Sequence, residues 1–255
     1  MARALIGCSG FVGGNLQQQA KFSDLFNSKN IDSIAGRHFD LVIGAGAPAV
    51  KWLANKEPEQ DRAALQRLMR PLESVTADRF VLISTVDVYP RPIDVDEDTR
   101  IDTAEAQPYG RHRLELEQFV RERFCDFLIV RLPGLFGPGL KKNVIYDFIH
   151  NNEVLKIHQD GVFQFYDLRR LWSDLEMVRR AGLALVNLAT EPVGVRDVVQ
   201  HAFGFTFEND LPAPAPRYDF HTRHADIWGR SGRYVYDRRE VLDDIRSFVA
   251  EERAR

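Results

Sequence analysis

The sequence predicts an α/β protein built on a doubly wound parallel sheet, and three observations carry that prediction. Strand-like and helix-like stretches alternate through the first two thirds of the chain. The strand-like stretches are apolar on both faces, as strands covered by helices on two sides are. A glycine-rich turn joins the first strand to the first helix. After Pro133 the alternation fades into Gly- and Pro-rich connections, which predicts a small, irregular C-terminal lobe that takes its support from the sheet.

The elements follow in order. "ARALIG" (2–7) reads as a buried strand and "NLQQQAKF" (15–22) as a short helix. "DLFNS" (24–28) is a second strand and "FDLVIGAG" (39–46) a third. Residues 58–77 place Leu65, Leu68, Met69, Leu72 and Val75 at helical spacing, with Pro58 near the start. "RFVLIST" (79–85) is another buried strand. Residues 109–124 repeat the helical period through Leu114, Leu116, Phe119, Val120 and Phe124. "CDFLIVRLP" (125–133) and "ALVNLAT" (184–190) are strands again. The loops "LPGLFGPGLKKN" and "LPAPAPR" (211–217) assign segments of about 134–170 and 205–235 to the irregular lobe.

At 255 residues the chain suits one large domain, or a domain plus a small appendage. A net charge of -3 argues against a general affinity for nucleic acid or an anionic membrane. No apolar run approaches the ~20 residues of a membrane span, and the run ending at Gly7 is too short for a signal peptide. Cys8 and Cys125 give no disulfide framework and no metal spacing, so a reducing, cytoplasmic location is expected.

"GCSGFVGG" (7–14) sets Gly7, Gly10 and Gly13 between the first strand and the first helix. Dinucleotide binding needs glycine there for a tight turn, for close approach of backbone to a pyrophosphate, and to aim free helix N–H groups at the anion. The loop residues Gly7, Ser9, Gly10, Phe11, Val12 and Gly13 are therefore the candidate pyrophosphate site of a Rossmann-like fold. The tip of the second strand, Asn27, Ser28 and Lys29, carries no carboxylate. A hydroxyl and a cation suit a 2′-phosphate, which favours NADP; a plain polar turn is the alternative reading. Asp32 would be the ribose partner if the strand boundary lay a few residues further on, so NAD stays possible.

Four segments together resemble the extended short-chain dehydrogenase/reductase family, the sugar-nucleotide epimerases and dehydratases. They are "GCSGFVGG" (7–14), "VLISTVDVYP" (81–90), "PYGRHRLELE" (108–117) and "IVRLPGLFGPG" (129–139), in the family's order and at sensible spacing. "LVNLATEPV" (185–193) is similar to a late strand of that family. The resemblance implies a hydride-transferring enzyme acting on a sugar or nucleotide-sugar. Tyr109 would be its general acid/base and Thr85 would hydrogen-bond the reacting oxygen. Arg113 would stand in for the lysine that holds the nicotinamide ribose and lowers the tyrosine pKa. Gly44, Ala45 and Gly46 would line the cofactor, and Leu132 and Pro133 would flank the nicotinamide. Asp87 falls where dehydratases of the group carry an acidic residue, although its neighbour Val86 does not match. Asn143, with Lys141 and Lys142, would meet the diphosphate of a nucleotide-sugar, or else form an ordinary polar loop. The family also implies a homodimer through the helices at 58–77 and 109–124.

Three departures stand out: Arg113 in place of lysine, little room between the first helix and residue 39 for both a second and a third strand, and Gly134 in place of an asparagine. Arginine keeps the positive charge but not lysine's point contact, because its planar fork seeks two acceptors. A cofactor-binding redox sensor without turnover is therefore the competing reading. Lys51 and Trp52 either face the nicotinamide or substrate or, for Trp52, fill the core. His221 and His224, in "HTRH", read as a solvated loop rather than a metal site.

Overall fold

The computed structural model describes residues 2–254. The chain runs β1 (Arg3–Ile6), α1 (Phe11–Gln19), β2 (Asp24–Phe26), β3 (His38–Gly44), α2 (Lys51–Lys56), α3 (Pro58–Leu72), β4 (Thr76–Thr85), α4 (Pro108–Arg123) and β5 (Phe127–Leu132). It continues with β6 (Gly134–Phe136), α5 (Val144–His150), β7 (Val162–Phe163), β8 (Phe165–Asp167), α6 (Leu171–Arg180), β9 (Leu185–Asn187), β10 (Val193–Gly194), α7 (Val195–Phe203) and α8 (Arg238–Arg253).

Two compact units result. The first comprises the chain up to Arg91 with Thr99–Arg131 and Trp172–Val186; the second comprises Pro92–Asp98, Leu132–Leu171 and the chain from Asn187 on. The second unit thus contains both segments expected to form the irregular lobe, together with 92–98, the α7 region and α8. Two short two-stranded sheets, β10 with β7 and β6 with β8, belong to it.

The main sheet has the order β2-β1-β3-β4-β5-β9. β1 lies parallel between β2 and β3, and β3 pairs parallel with β4. The chain therefore steps to one side of β1 for β2 and to the other side for β3. In a doubly wound sheet such a reversal opens a crevice outside the carboxyl ends of the strands. The expected α/β class and parallel winding hold. The short span after α1 accommodates a three-residue β2, then a 3-10 turn, Ile31–Ile34, whose two isoleucines are buried in the core.

The core of the first unit forms because the strands bury Ala4, Ile6, Phe39, Val42, Phe80 and Ile129 against α3 and α4, which contribute Leu65, Leu72, Leu116 and Val120. Phe80 stacks on Phe124 at 4.3 Å between ring centres, which fixes the end of α4 against β4. Several boundaries differ from expectation; β2 stops at Phe26 and β9 at Asn187, and two of the differences have a clear cause. Helix α1 begins at Phe11, earlier than the apolar pattern indicates, because Gly13 lets its first turn lie on the Gly7 carbonyl; a Cβ there would sit 2.1 Å away. Helix α3 ends at Leu72 and β4 starts at Thr76, because cross-strand pairing of His38 with Thr76 draws these residues into the sheet.

Candidate functional site

The glycine turn comes first because β1 delivers it to the crevice. Gly7 has φ +83, the left-handed region, and a Cβ on it would lie 2.3 Å from the Ala45 carbonyl oxygen. Only glycine allows the turn after β1 to close against the end of β3. The amides of Gly7 and Cys8 donate to the Phe26 carbonyl at the tip of β2. One turn thus ties together the ends of β1, β2 and β3. Gly10 caps α1 in extended backbone, and a Cβ there would meet only the Gly7 carbonyl oxygen, at 3.2 Å. That bare surface faces the start of α1, where Phe11, Val12 and Gly13 carry N–H groups with no partner inside the helix. Ser9 and Gly10 are exposed beside them. A pyrophosphate fits this arrangement.

At the tip of β2, the Asn27 side chain accepts from the Lys29 amide at 2.9 Å, and the Asn27 amide donates to Asn30 Oδ1 at 2.7 Å. Asn27 is therefore engaged in its own turn. Ser28 and Lys29 are exposed. Across the crevice, Gly44 is buried at the end of β3 and Ala45 and Gly46 are half-buried, with the Ala45 amide bonded to the Ile6 carbonyl.

The start of α4 carries the second part of the site. Pro108 occupies its first turn, where a missing N–H costs nothing. The Tyr109 amide, an orphan of that first turn, donates to Asn55 Oδ1 of α2 at 3.0 Å. Gly110 follows, and a Cβ there would sit 1.9 Å from the Asp87 carbonyl oxygen. The absence of a side chain at Gly110 lets α4 rest directly on the turn Val86–Val88 that follows β4. The start of α4, with Tyr109, is thereby seated on the turn that follows Thr85 and carries Asp87. Thr85 Oγ1 accepts from the Asp87 amide at 3.1 Å, which leaves its O–H hydrogen for another acceptor.

Arg113, one turn below Tyr109, is 3% exposed. Its guanidinium forks onto Asp61 of α3, with Nη2 at 2.8 Å from Oδ1 and Nη1 on Oδ2. It also donates to the carbonyls of Pro48 and Tyr109, the latter at 3.3 Å. Its Nε is buried without a partner. His112 Nδ1 joins the same carboxylate at 2.8 Å. The sequence reading has this guanidinium hold a ribose; the structure commits its fork to Asp61 and to backbone carbonyls. Burial pushes the Asp61 carboxyl up, yet the hydrogen bonds from Arg113 and His112 outweigh it and hold it below the usual carboxylate range.

The Tyr109 phenol goes the other way. Burial pushes it above its ordinary value, and the opposing pull of Arg113 and Lys51 does not reverse the direction. Arg113 does pull the phenol down, as expected, but in the ligand-free protein removing a phenolate from water outweighs that pull, so the net shift is upward. Lys51 Nζ lies 2.7 Å from Asp87 Oδ1. Its neighbour Trp52 is 66% exposed, so the reading of a core tryptophan does not hold: α2 turns Lys51 and Asn55 toward α4 and leaves Trp52 outside.

Beneath the site lies a buried polar network. Arg131 forks onto Glu117 at 3.0 and 2.6 Å and donates to the Tyr89 hydroxyl at 2.7 Å. Ser84 donates to the same Glu117 at 2.6 Å. Each charged group is paired and hydrogen-bonded, the condition under which a buried ion pair is tolerated. It locks β4, α4 and β5 in register.

The remaining sequence candidates lie in the second unit. Leu132 and Pro133 are buried at the end of β5. Asn143 holds φ +116, accepts from the Tyr146 amide at 3.1 Å to cap α5, and donates to the Leu135 carbonyl at 2.9 Å. It borders a cavity of about 340 Å³ whose wall includes Val144, His158, Phe163 and Pro214.

A model of the NAD-dependent epimerase/dehydratase family matches residues 14–179, a span that takes in Thr85, Asp87, Tyr109 and Arg113. The chain belongs to that family. Solved structures agree on the fold of this epimerase/dehydratase member. MoeE5 in complex with UDP-glucose and NAD is 19% identical over 99% of each chain, with a TM-score of 0.71. The dTDP-4-dehydrorhamnose reductase of Bacillus anthracis, in complex with NADP, is 18% identical over 98% of this chain and 99% of its own, at TM-score 0.76. TunA, an NAD-dependent NDP-hexosamine 5,6-dehydratase, is 17% identical over 100% and 99%, at TM-score 0.72. No curated protein sequence matches significantly.

In this epimerase/dehydratase family member, sequence reasoning missed Asp61, Asn55 and His112. Lys51 and Asn55 do carry a signal, since an i, i+4 pair shares one helix face. Asp61 carries none: it reads as one acidic residue in the first turn of a charged helix.

Proposed function

We propose that the chain is an NAD(P)-dependent enzyme that interconverts a carbonyl and an alcohol on a nucleotide-sugar, with Tyr109 as the general acid/base. The observation that carries the reading is the seating of the Tyr109 end of α4 on the turn after β4, through Gly110 against the Asp87 carbonyl and the Tyr109 amide on Asn55. The glycine turn and Ala45–Gly46 would hold the dinucleotide, with Ser28 and Lys29 at its adenosine ribose favouring NADP. The bound dinucleotide supplies hydride exchange at its nicotinamide. Tyr109 then gives or takes the proton at the substrate oxygen, and the Thr85 hydroxyl orients that oxygen. Leu132 and Pro133 would flank the nicotinamide. The second unit would serve as the substrate lobe. Relatives solved with UDP-glucose or with NADP support the substrate and cofactor classes. Pairing through α3 and α4 into a homodimer, and a cytoplasmic location, complete the proposal. No helix among the described residues is long and apolar enough to cross a membrane.

The raised phenol and the engaged Arg113 favour a second reading, a dinucleotide-binding sensor without turnover. Nicotinamide absorbance of purified protein mixed with NADPH and a panel of 4-keto nucleotide-sugars decides between them. Turnover by the wild type that Tyr109→Phe abolishes supports the enzyme. NADPH binding without hydride movement on any member of the panel supports the sensor. Gel filtration tests the dimer.

A further inference from the structure

β3 opens with His38 and Asp40 two residues apart, so their side chains leave the same face of the strand. β3 pairs parallel with β4, and the register that sets Phe39 beside Ala77 and Leu41 beside Arg79 brings Asp40 beside Asp78. Thr76 stands beside His38 on the same face. The His38 imidazole and the two carboxylates each offer one atom, and these atoms all lie within 4.8 Å of one another. The three groups are thus carried by two hydrogen-bonded strands of the main sheet, not by a loop.

Each group is already oriented. His38 Nδ1 lies 3.0 Å from Thr76 Oγ1, which turns Nε2 to Asp78 Oδ1 at 3.5 Å. Asp40 is steadied through Oδ2, which accepts from the Ala2 amide. A carboxylate has lone pairs beyond the one that such a bond uses. Metal-binding imidazoles are held in this way, one ring nitrogen on an outer partner and the other on the ion. Ligand atoms about 2.0–2.1 Å from a zinc ion stand about 3.3 Å apart in a tetrahedron. The His38–Asp78 separation is close to that, and side chains 59% and 65% exposed can turn to close the rest. Asp40 and Asp78 are like charges on neighbouring strands, which repel; a dication between them turns that repulsion into attraction to a common centre.

We propose that His38, Asp40 and Asp78 form a binding site for a divalent transition metal ion of the zinc class, with water completing its coordination. The imidazole favours such an ion over magnesium or calcium, which take oxygen ligands. The role of the site is structural. The ion staples the starts of β3 and β4 and, through Asp40, the Ala2 backbone that leads into β1. His38 and Gly44 are the two ends of β3, so the ion lies about 20 Å from the end that faces the glycine turn. The proposal therefore stands or falls apart from the reading of the dinucleotide site.

The test titrates untagged, EDTA-treated protein with zinc chloride by calorimetry and follows melting in zinc and in EDTA. The wild type should take up one zinc ion per chain. Zinc at about a hundred times its dissociation constant should raise the melting temperature by about 5 °C or more. His38→Ala and Asp78→Asn should each weaken zinc binding about a hundredfold, and Thr76→Val, which removes only the outer partner of the imidazole, about tenfold. In EDTA all three should melt within about 2 °C of the wild type, because the side chains are exposed. A titration with no saturable uptake overturns the proposal. Uptake that His38→Ala and Asp78→Asn leave unchanged overturns it too, because the ion then sits elsewhere. Magnesium that competes equally with zinc does the same, because the imidazole then takes no part.

Discussion

The guanidinium carbon of Arg113 lies 4.0 Å from the centre of the Tyr109 ring, stacked on its face. A cation over an aromatic face stabilises the packing of both side chains. Asp61 holds it there and, by supplying the opposite charge, weakens its pull on the phenol.

Asp61→Asn should therefore be a stability variant before it is an activity variant. It leaves the Arg113 charge buried without a counter-charge, which costs about 3–5 kcal/mol. Denaturant unfolding is the measurement. Arg113→Lys should also destabilise, because one ammonium cannot span both Asp61 and the Pro48 carbonyl. A wild-type midpoint in Asp61→Asn would show that the pair contributes nothing.

Acid should weaken the fold through the same carboxylate. The folded pKa of Asp61 lies below its ordinary value, so the unfolded chain takes up its proton first as pH falls. The stabilisation is complete above about pH 4 and is lost below it, as pH drops through the depressed folded value. Unfolding free energies of the wild type should fall across that window, and Asp61→Asn should show a shallower acid limb.

A phenol is neutral at ordinary pH, and burial pushes Tyr109 still further from ionising in the ligand-free protein. A neutral phenol can donate a proton as a carbonyl is reduced; the reverse reaction needs the phenolate. Reduction should then be flat through neutral pH, whereas oxidation should accelerate as pH rises. Tyr109→Phe should cost about 10²–10⁴-fold in kcat in both directions. Rate profiles in both directions check this.

Gly110→Ala would place a methyl group 1.9 Å from the Asp87 carbonyl oxygen, a backbone atom that cannot swing aside. The expected cost is about 1–3 kcal/mol of stability. The start of α4 must lift from the turn after β4, so kcat should fall by more than the stability loss explains. Kinetics on fully folded protein at low temperature would separate the two effects.

Lys29→Glu should turn cofactor preference from NADP toward NAD. Asn27 is occupied by the Lys29 amide, so the exposed Ser28 hydroxyl and Lys29 ammonium are the groups at the β2 tip able to meet a 2′-phosphate. A carboxylate there repels that phosphate and suits a ribose hydroxyl. The ratio of NADP to NAD affinity should drop about tenfold or more, as titration with each cofactor would show.

The order of residues alone specified the sheet, because strands buried on both faces and amphipathic helices are local patterns with local causes. It also determined the position of the glycine turn and the opening of α4 at Pro108–Tyr109, since turn and helix-start chemistry is written in adjacent residues. The direction of the Arg113 side chain was decided only by tertiary structure: its partner Asp61 lies 52 residues earlier and meets it because α3 packs beside α4. The same packing decided the sign of the Tyr109 shift, because burial is a property of the assembled neighbours and not of the motif. Trp52 stayed in water for a related reason: α2 is anchored by Lys51 and Asn55, whose partners Asp87 and Tyr109 are brought to it by the fold. Spacing along a chain specifies which residues share an element, whereas the charge that a side chain finally faces depends on which other element is folded against it.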